Sequence, residues 1–369
     1  MRILLVHHES EYFAGAEKML GYFLQGLAAS ACEVTVAAVR ESRVPETIPA
    51  GMKICWLPEN RRFSARKLGR QLGALADLTK KDPQDVIHGW AARDWELTSL
   101  AGRWLKRPTV GTLHDHPQAP FLSRGRQRLM SWCARLGLDR MVCVSKAVQD
   151  VCVASGYAER KLRVVHNGLP LLPGARAQPR AGVFRLGFLG LFSERKGLRG
   201  LFQIVDELAQ RSRAPWELAL AGDAQEAEGR RLVEELKAAY GQRTWWPQVH
   251  WLGWVKQPAA FLSSLDLMIC PSSEFDPFPT VLLEAGQTGV PVLGARVGGV
   301  PEIIEDGVTG WLFERGAWSE GARRLQLVLE SPELASAAGE RAKKRVEREF
   351  AMKRMVDGYV RVYQELLAS

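Results

Sequence analysis

The sequence predicts an α/β protein made of two parallel-sheet domains, each with helices on both faces of its sheet. Three observations predict it. The chain has 369 residues, more than one ordinary hydrophobic core serves. Short apolar runs alternate with stretches of helical period through both halves. A segment rich in Pro, Gly and Ala, residues 171–182, stands between the two alternating series and reads as a linker. The expected division is therefore 1–170, a linker 171–182, 183–350, and a terminal helical segment 351–369.

In the first half, Ile3–Val6 is a buried-strand candidate. The loop after it leads through Gly15 into a helix to about Leu27, with Met19, Leu20, Phe23, Leu24 and Leu27 at helical spacing. Further strands are expected at Val34–Val39, Ile54–Leu57, Val86–His88, Thr109–Leu113 and Met141–Val144. In the second half they are expected at Arg185–Leu189, Glu217–Ala221, Val249–Leu252, Leu267–Cys270, Val290–Leu293 and Trp311–Phe313. Helices are expected at Gly197–Leu208, Ala227–Ala239 and, last, Met352–Leu367.

Composition narrows the functional classes. The chain is 46% hydrophobic and 25% charged, as a globular protein is. No apolar run approaches the roughly 18–20 residues that span a bilayer, and the opening MRILLVHHE lacks the long apolar stretch of a signal peptide. The six cysteines have no CxxC spacing and read as reduced thiols of a cytoplasmic protein. The net charge of +9 lies entirely in the first half: residues 1–170 hold 25 Lys and Arg against 16 Asp and Glu, and residues 171–369 hold 25 of each. That asymmetry points to an anionic partner. No nucleic-acid-binding motif accompanies it. An anionic membrane surface or a lipid-linked phosphate fits better, which places the protein at the inner face of a membrane. Two basic stretches are candidates for membrane docking. One holds Arg61, Arg62, Arg66, Lys67 and Arg70, with Phe63, Leu68 and Leu72 available to a lipid interface. The other holds Arg124, Arg126 and Arg128, with Leu129, Met130 and Trp132. Solvated helix faces are the alternative for both.

The stretch Cys270–Glu302, CPSSEFDPFPTVLLEAGQTGVPVLGARVGGVPE, is the most informative. A buried strand ends at Pro271 and feeds a loop bearing Glu274 and Asp276. Pro277 and Pro279 keep that loop extended. A helix can start at Thr280, with Pro279 in its first turn, and it places Thr280 and Glu284 on one face. A helix opening just past a strand's carboxyl end offers unpaired N–H groups and a positive dipole, which suits phosphate. A carboxylate one turn in suits two adjacent hydroxyls. Elsewhere, Arg195-Lys196-Gly197 puts two cations before a helix, where they can neutralise a diphosphate. Gly15 lets backbone approach an anion at its helix N-terminus, although the G-x-G-x-x-G dinucleotide fingerprint is absent. His88 and His114 end strands. His114-Asp115-His116 without further ligands is a weak metal signal.

These motifs resemble glycosyltransferase family 4. Asp276 and Glu284 have the spacing of its acidic pair, and G-V-P-V and G-G-V-P-E follow as in the family. Gly15-Ala-Glu, Asp85-Val-Ile-His, Thr112-Leu-His-Asp, Val144-Ser145, Asn167-Gly168, Lys196-Gly197, Ala221-Gly-Asp and Leu252-Gly253 stand in family order, so the resemblance covers nearly the whole chain. It departs at four places: Asp276 stands where Glu is usual, Pro279 and Ala14 where Gly is, and Leu191 where an Arg often follows Gly190. The resemblance implies the GT-B fold, two Rossmann-like domains facing a cleft, with a last helix that crosses back to the first domain. It implies retaining, metal-independent transfer of a sugar from a nucleotide-diphosphate donor, a UDP-sugar favoured over a GDP-sugar, to a glycan or lipid-linked acceptor in cell-envelope polysaccharide or glycolipid synthesis. No cofactor beyond that co-substrate is implied. His114, Asp276 and Lys196 would be catalytic. Gly15, Arg195, Lys196, Gly222, Val255, Asp276, Phe278, Thr280, Val281 and Glu284 would bind donor, with Glu284 on the ribose. Glu17, His88 and His114 would meet the acceptor. An epimerase or phosphorylase of the same fold, and an inactive donor-binding protein, are the alternative readings.

Overall fold

The computed structural model describes residues 1–7, 15–58, 65–118, 123–171 and 182–368. The expected linker falls almost wholly outside the described residues, as do Arg61, Arg62 and Phe63. The chain forms two compact units. Unit 1 is Met1–Pro170 with Ala351–Ser369, and unit 2 is Leu171–Phe350.

Unit 1 carries seven parallel strands: β1 Arg2–Val6, β2 Glu33–Val39, β3 Lys53–Leu57, β4 Val86–Gly89, β5 Thr109–Leu113, β6 Arg140–Cys143 and β7 Leu162–Val164. Their order in the sheet is β3-β2-β1-β4-β5-β6-β7. β4 and β5 are buried along their whole length and β1 from Ile3 to Val6, as in a sheet with helices on both faces. On one face Leu4, Val6, Ala37, Ile87 and Leu97 form a core against the helix Ala65–Lys81, whose Leu75 is buried. β7 is the strand the sequence reading misses. It is three residues long with Arg163 at its centre, too short for a periodicity to register.

The terminal helix Met352–Leu367 packs in unit 1 through Met355, Val356, Tyr359, Val362, Tyr363 and Leu366. Its contact with the helix Gly15–Ala28 depends on Gly26, where a Cβ would lie 2.5 Å from Val356 Cγ2. Two tyrosines on this helix reach a buried polar chain. Tyr363 Oη bonds His88 Nδ1 at 2.7 Å, His88 Nε2 bonds Thr112 Oγ1 at 2.8 Å, and Thr112 Oγ1 bonds Tyr359 Oη at 3.1 Å.

Unit 2 carries six parallel strands: β8 Phe184–Leu189, β9 Trp216–Ala221, β10 Val249–Gly253, β11 Leu267–Cys270, β12 Val292–Ala295 and β13 Gly310–Phe313. Their order is β10-β9-β8-β11-β12-β13. β12 begins two residues later than the run Val290–Leu293 suggests. Val290 N still closes the preceding helix by donating to Ala285 O, and Pro291 has no N–H for a ladder. The helix expected from Gly197 runs Leu198–Arg211, with Gly197 as its cap.

Candidate functional site

In unit 2, β8 and β11 are neighbours although the strands that follow each of them run outward in opposite directions. Strand order reverses between them, and ligands of open α/β sheets bind outside the carboxyl ends of the strands at such a point. Residues 190–197 leave β8 there and residues 271–279 leave β11, so the two loops that carry the predicted cations and carboxylate meet.

They are joined by an ion pair. Lys196 Nζ donates to Asp276 Oδ2 at 2.7 Å, and Ser272 Oγ donates to the same oxygen at 3.1 Å. The Asp276 side chain is 5% exposed and that of Lys196 23%, so the carboxylate is enclosed while the ammonium keeps a face open. The Cys270 thiol is pushed up to about 11 by burial and then by the charge of Asp276. Backbone bonds reinforce the junction: Ser273 N donates to Arg195 O at 3.1 Å.

Three glycines permit the approach. Gly197 is left-handed (φ +76°), and a Cβ there would lie 1.7 Å from Pro271 O. Gly298 (φ +51°) would place a Cβ 2.0 Å from Asp276 O, and the next N–H, of Gly299, donates to that oxygen at 2.9 Å. Gly222 (φ +148°) would place a Cβ 1.8 Å from Gly190 O, which brings the loop after β9 onto the loop after β8. Only a residue without Cβ fits these positions.

The helix Thr280–Gln287 opens at the same edge. Pro279 is its cap residue, in extended conformation, and lies outside the first turn. No side chain caps this end, which leaves its positive pole for a ligand. Thr280, Val281 and Glu284 are half-buried on the first turns, and Glu274 is an exposed loop charge. Phe278 is buried with its ring edge-on to Phe350, so it can offer a ligand backbone but not its ring. Arg195 is half-buried, and Val255 is half-buried in the loop after β10.

Unit 1 has its own order reversal, between β1 and β4. The first residue beyond β1 is His7, which carries no motif in the sequence. It is fully buried, and its Nδ1 bonds Asp94 Oδ2 at 2.9 Å while its Nε2 lies 3.5 Å from Glu17 Oε1. Burial alone would lower its basicity, but Asp94 and Glu17 overcome that and raise it to about 9. Asp94 Oδ2 also accepts from Ala91 N at 2.8 Å, which fixes the turn after β4. His114 stands at the end of β5 with its Nε2 on Trp90 O at 3.0 Å. Burial, then the charge on His7, lower it to about 4, so it is neutral at pH 7. A histidine just past a strand end that faces two acids distant in sequence has no local signature.

His88 does not meet an acceptor: it is fully buried, both ring nitrogens are bonded within unit 1, and burial followed by His114 lowers it to about 3. Glu17 is buried against His7 and is not displayed to an acceptor. Arg126 is not a free surface cation, since its guanidinium bonds Ala92 O at 2.8 Å and pairs with the nearly buried Glu96. Met130 is buried, and Leu68 and Leu72 pack on the sheet core instead of facing outward. Arg66, Arg70, Arg124 and Arg128 are exposed, and Lys67 is half-buried. Asp115 and His116 accept bonds from their own loop backbone. Gly15 opens its helix with nothing within 4 Å of a Cβ position.

The family models divide the chain at the same place as the two units. Residues 13–171 match the model of Glycosyltransferase Family 4, and residues 177–345 match that of glycosyl transferases group 1. The chain belongs to glycosyltransferase family 4. The transferase is 39% identical over 120 residues to the N-acetyl-alpha-D-glucosaminyl L-malate synthase of Bacillus anthracis, a match spanning 32% of this chain and 31% of that enzyme. It is 23% identical over 293 residues to the glycogen synthase of Mycobacterium tuberculosis, covering 76% of this chain and 68% of that one. Its fold is GT-B. The Anabaena protein HepE, solved in complex with UDP, superposes with a TM-score of 0.83 at 21% identity over 99% of this chain and 100% of that one. HepE has also been solved with UDP-glucose.

Proposed function

We propose that this transferase moves a sugar from a UDP-sugar to a hydroxyl of a glycan or lipid-linked acceptor, with retention of configuration and without a metal ion. The observation that carries this reading is the Lys196–Asp276 pair at the order reversal of unit 2. A cation fixed beside an uncapped helix N-terminus is suited to a leaving diphosphate, because both hold positive charge where negative charge develops. Lys196 and Arg195 take the diphosphate. Asp276 accepts from donor sugar hydroxyls near the anomeric carbon. Glu284 accepts from the ribose hydroxyls, and Gly222, Val255, Thr280, Val281 and the backbone of Phe278 line the donor. On the acceptor side, neutral His114 hydrogen-bonds sugar or acceptor, and Gly15 allows the donor close approach to backbone. The leaving phosphate takes the acceptor's proton as that hydroxyl attacks the face it departs from. HepE's complexes with UDP and UDP-glucose support the choice of uridine. The excess of cations in residues 1–170 supports an anionic acceptor at a membrane surface, in envelope polysaccharide or glycolipid synthesis.

The test is thermal stability against UDP, GDP and their sugars, in chelator and then in magnesium. Ligand that binds only the native state raises the melting temperature by mass action. The expected result is a chelator-insensitive shift from uridine nucleotides that Lys196→Ala and Glu284→Ala abolish. A folded protein that shifts with no nucleotide would sink the reading.

A further inference from the structure

Strands β5, β6 and β7 are parallel, so their amino ends share the sheet edge opposite the one that bears His114. A groove of about 590 Å³ opens at that edge. Six cations line it, Arg103, Lys106, Arg107, Arg140, Arg160 and Lys161, against one carboxylate, Asp139. That carboxylate is engaged within the fold, because its Oδ2 accepts from Thr109 N at 2.8 Å and from Thr109 Oγ1 at 2.9 Å. Lys161 is engaged as well. Its ammonium donates to Arg135 O at 2.8 Å and Leu138 O at 2.6 Å, where the π-helical turn Cys133–Gly137 ends.

None of the other five cations is in an ion pair among the described residues. Two of them hold donors that are both buried and unused, Nε of Arg107 and Nε of Arg140. Buried donors are almost always satisfied, and an orphan asks for an explanation. Here both arginines line a concave surface together with Arg103, Lys106 and Arg160, none of them in an ion pair among the described residues. A guanidinium presents a planar fork of N–H groups that matches a phosphoryl oxygen pair. An anion held in the groove would neutralise the cluster.

We propose that this groove is a binding site for a phosphoryl-bearing ligand. It is separate from the transfer site, since β5 puts roughly 15 Å between Thr109 in the groove and His114 at the other edge. The ligand is either a soluble phosphate ester or the headgroup of an anionic lipid. Leu136, 65% exposed and lining the groove, would meet the acyl region in the second case.

The experiment uses the full chain carrying Lys196→Ala, so that the proposed donor site is silent. Pyrophosphate is titrated by calorimetry in one arm. In the other, flotation is measured with phosphatidylcholine vesicles with and without phosphatidylglycerol. Both arms are repeated with Arg103→Glu and Arg160→Glu added, two exposed positions whose reversal leaves the core untouched, and the fold is checked by circular dichroism. Arg140→Lys, which keeps the charge and removes the Nε donor, is the second variant. Pyrophosphate binding that falls about tenfold or more in the reversed protein assigns a soluble ester. Loss of phosphatidylglycerol-dependent flotation assigns a lipid headgroup. The proposal is overturned if the parent binds neither probe, or if parent and reversed protein behave alike in both arms.

Discussion

Lys196 and Asp276 lie 2.7 Å apart across eighty residues of sequence, and their contact is the junction of the two loops at the unit 2 order reversal. Asp276 is enclosed, so removing its cation leaves a buried carboxylate whose remaining side-chain partner among the described residues is Ser272. Lys196→Ala should cost roughly 2 kcal/mol of stability and lower turnover by about 10²–10³. Asp276→Asn, which keeps a polar group for Ser272 to bond, should cost less stability but a comparable loss of turnover. Denaturant unfolding and initial rates measure the two separately. Equal stability in wild type and Lys196→Ala would show that the pair does not hold the loops together.

Gly298 offers a way to disturb the site without touching a charge. Gly298→Ala forces a Cβ to within 2.0 Å of Asp276 O in a left-handed backbone. The expected cost is about 2 kcal/mol, together with weaker UDP binding because the Asp276 loop must move. Gly307→Ala is the control. It shares the left-handed backbone, but a Cβ there meets nothing within 4 Å, so it should lose stability without affecting nucleotide.

The histidines of unit 1 predict how stability depends on pH. Folded His7 holds its proton up to about 9, above its ordinary 6.5. Its contribution is therefore complete below pH 6.5 and is lost as pH rises through 9. His88 and His114 are lowered to about 3 and about 4, so they stay neutral in the fold while the unfolded chain takes up protons below 6.5. Stability should thus fall on both sides of neutrality, by about 1.4 kcal/mol per pH unit for each proton involved. Urea unfolding across the range checks this. His7→Gln should flatten the alkaline limb alone. An alkaline limb that survives the substitution would assign it to other groups.

Arg126 distinguishes a structural cation from a docking one. Arg126→Ala leaves Glu96 nearly buried without its partner and should lower the melting temperature, with binding to anionic vesicles unchanged. If unit 1 docks on a membrane through its exposed basic helix, Arg66→Glu with Arg70→Glu should do the reverse.

Much of this was written in local chemistry. The parallel strands announced themselves because a strand covered on both faces is mostly apolar, as Ile3–Val6 of β1 is, and the few polar side chains of β4 and β5 are bonded inside the fold. Lys196, Asp276, Thr280 and Glu284 were legible because Pro, Gly and short apolar runs mark strand ends and helix starts, and those are the places where an α/β sheet keeps its ligands. The sequence could not show which cation meets which carboxylate. It gave Arg126 and Arg66 the same appearance, although one is an internal ion pair and the other faces solvent. Likewise His88 and His114 both read as strand-end histidines. The difference is Tyr363, which closes on His88 from a helix 275 residues further along the chain. His7 was invisible for the same reason. Its charge is set by Asp94 and Glu17, which come together only when β1, β4 and the helix Gly15–Ala28 pack. Periodicity and turn chemistry act between near neighbours, so the sequence by itself determined the elements and the edges where function belongs. Burial and pairing of charges depend on groups brought close through space, and only the tertiary structure decided those.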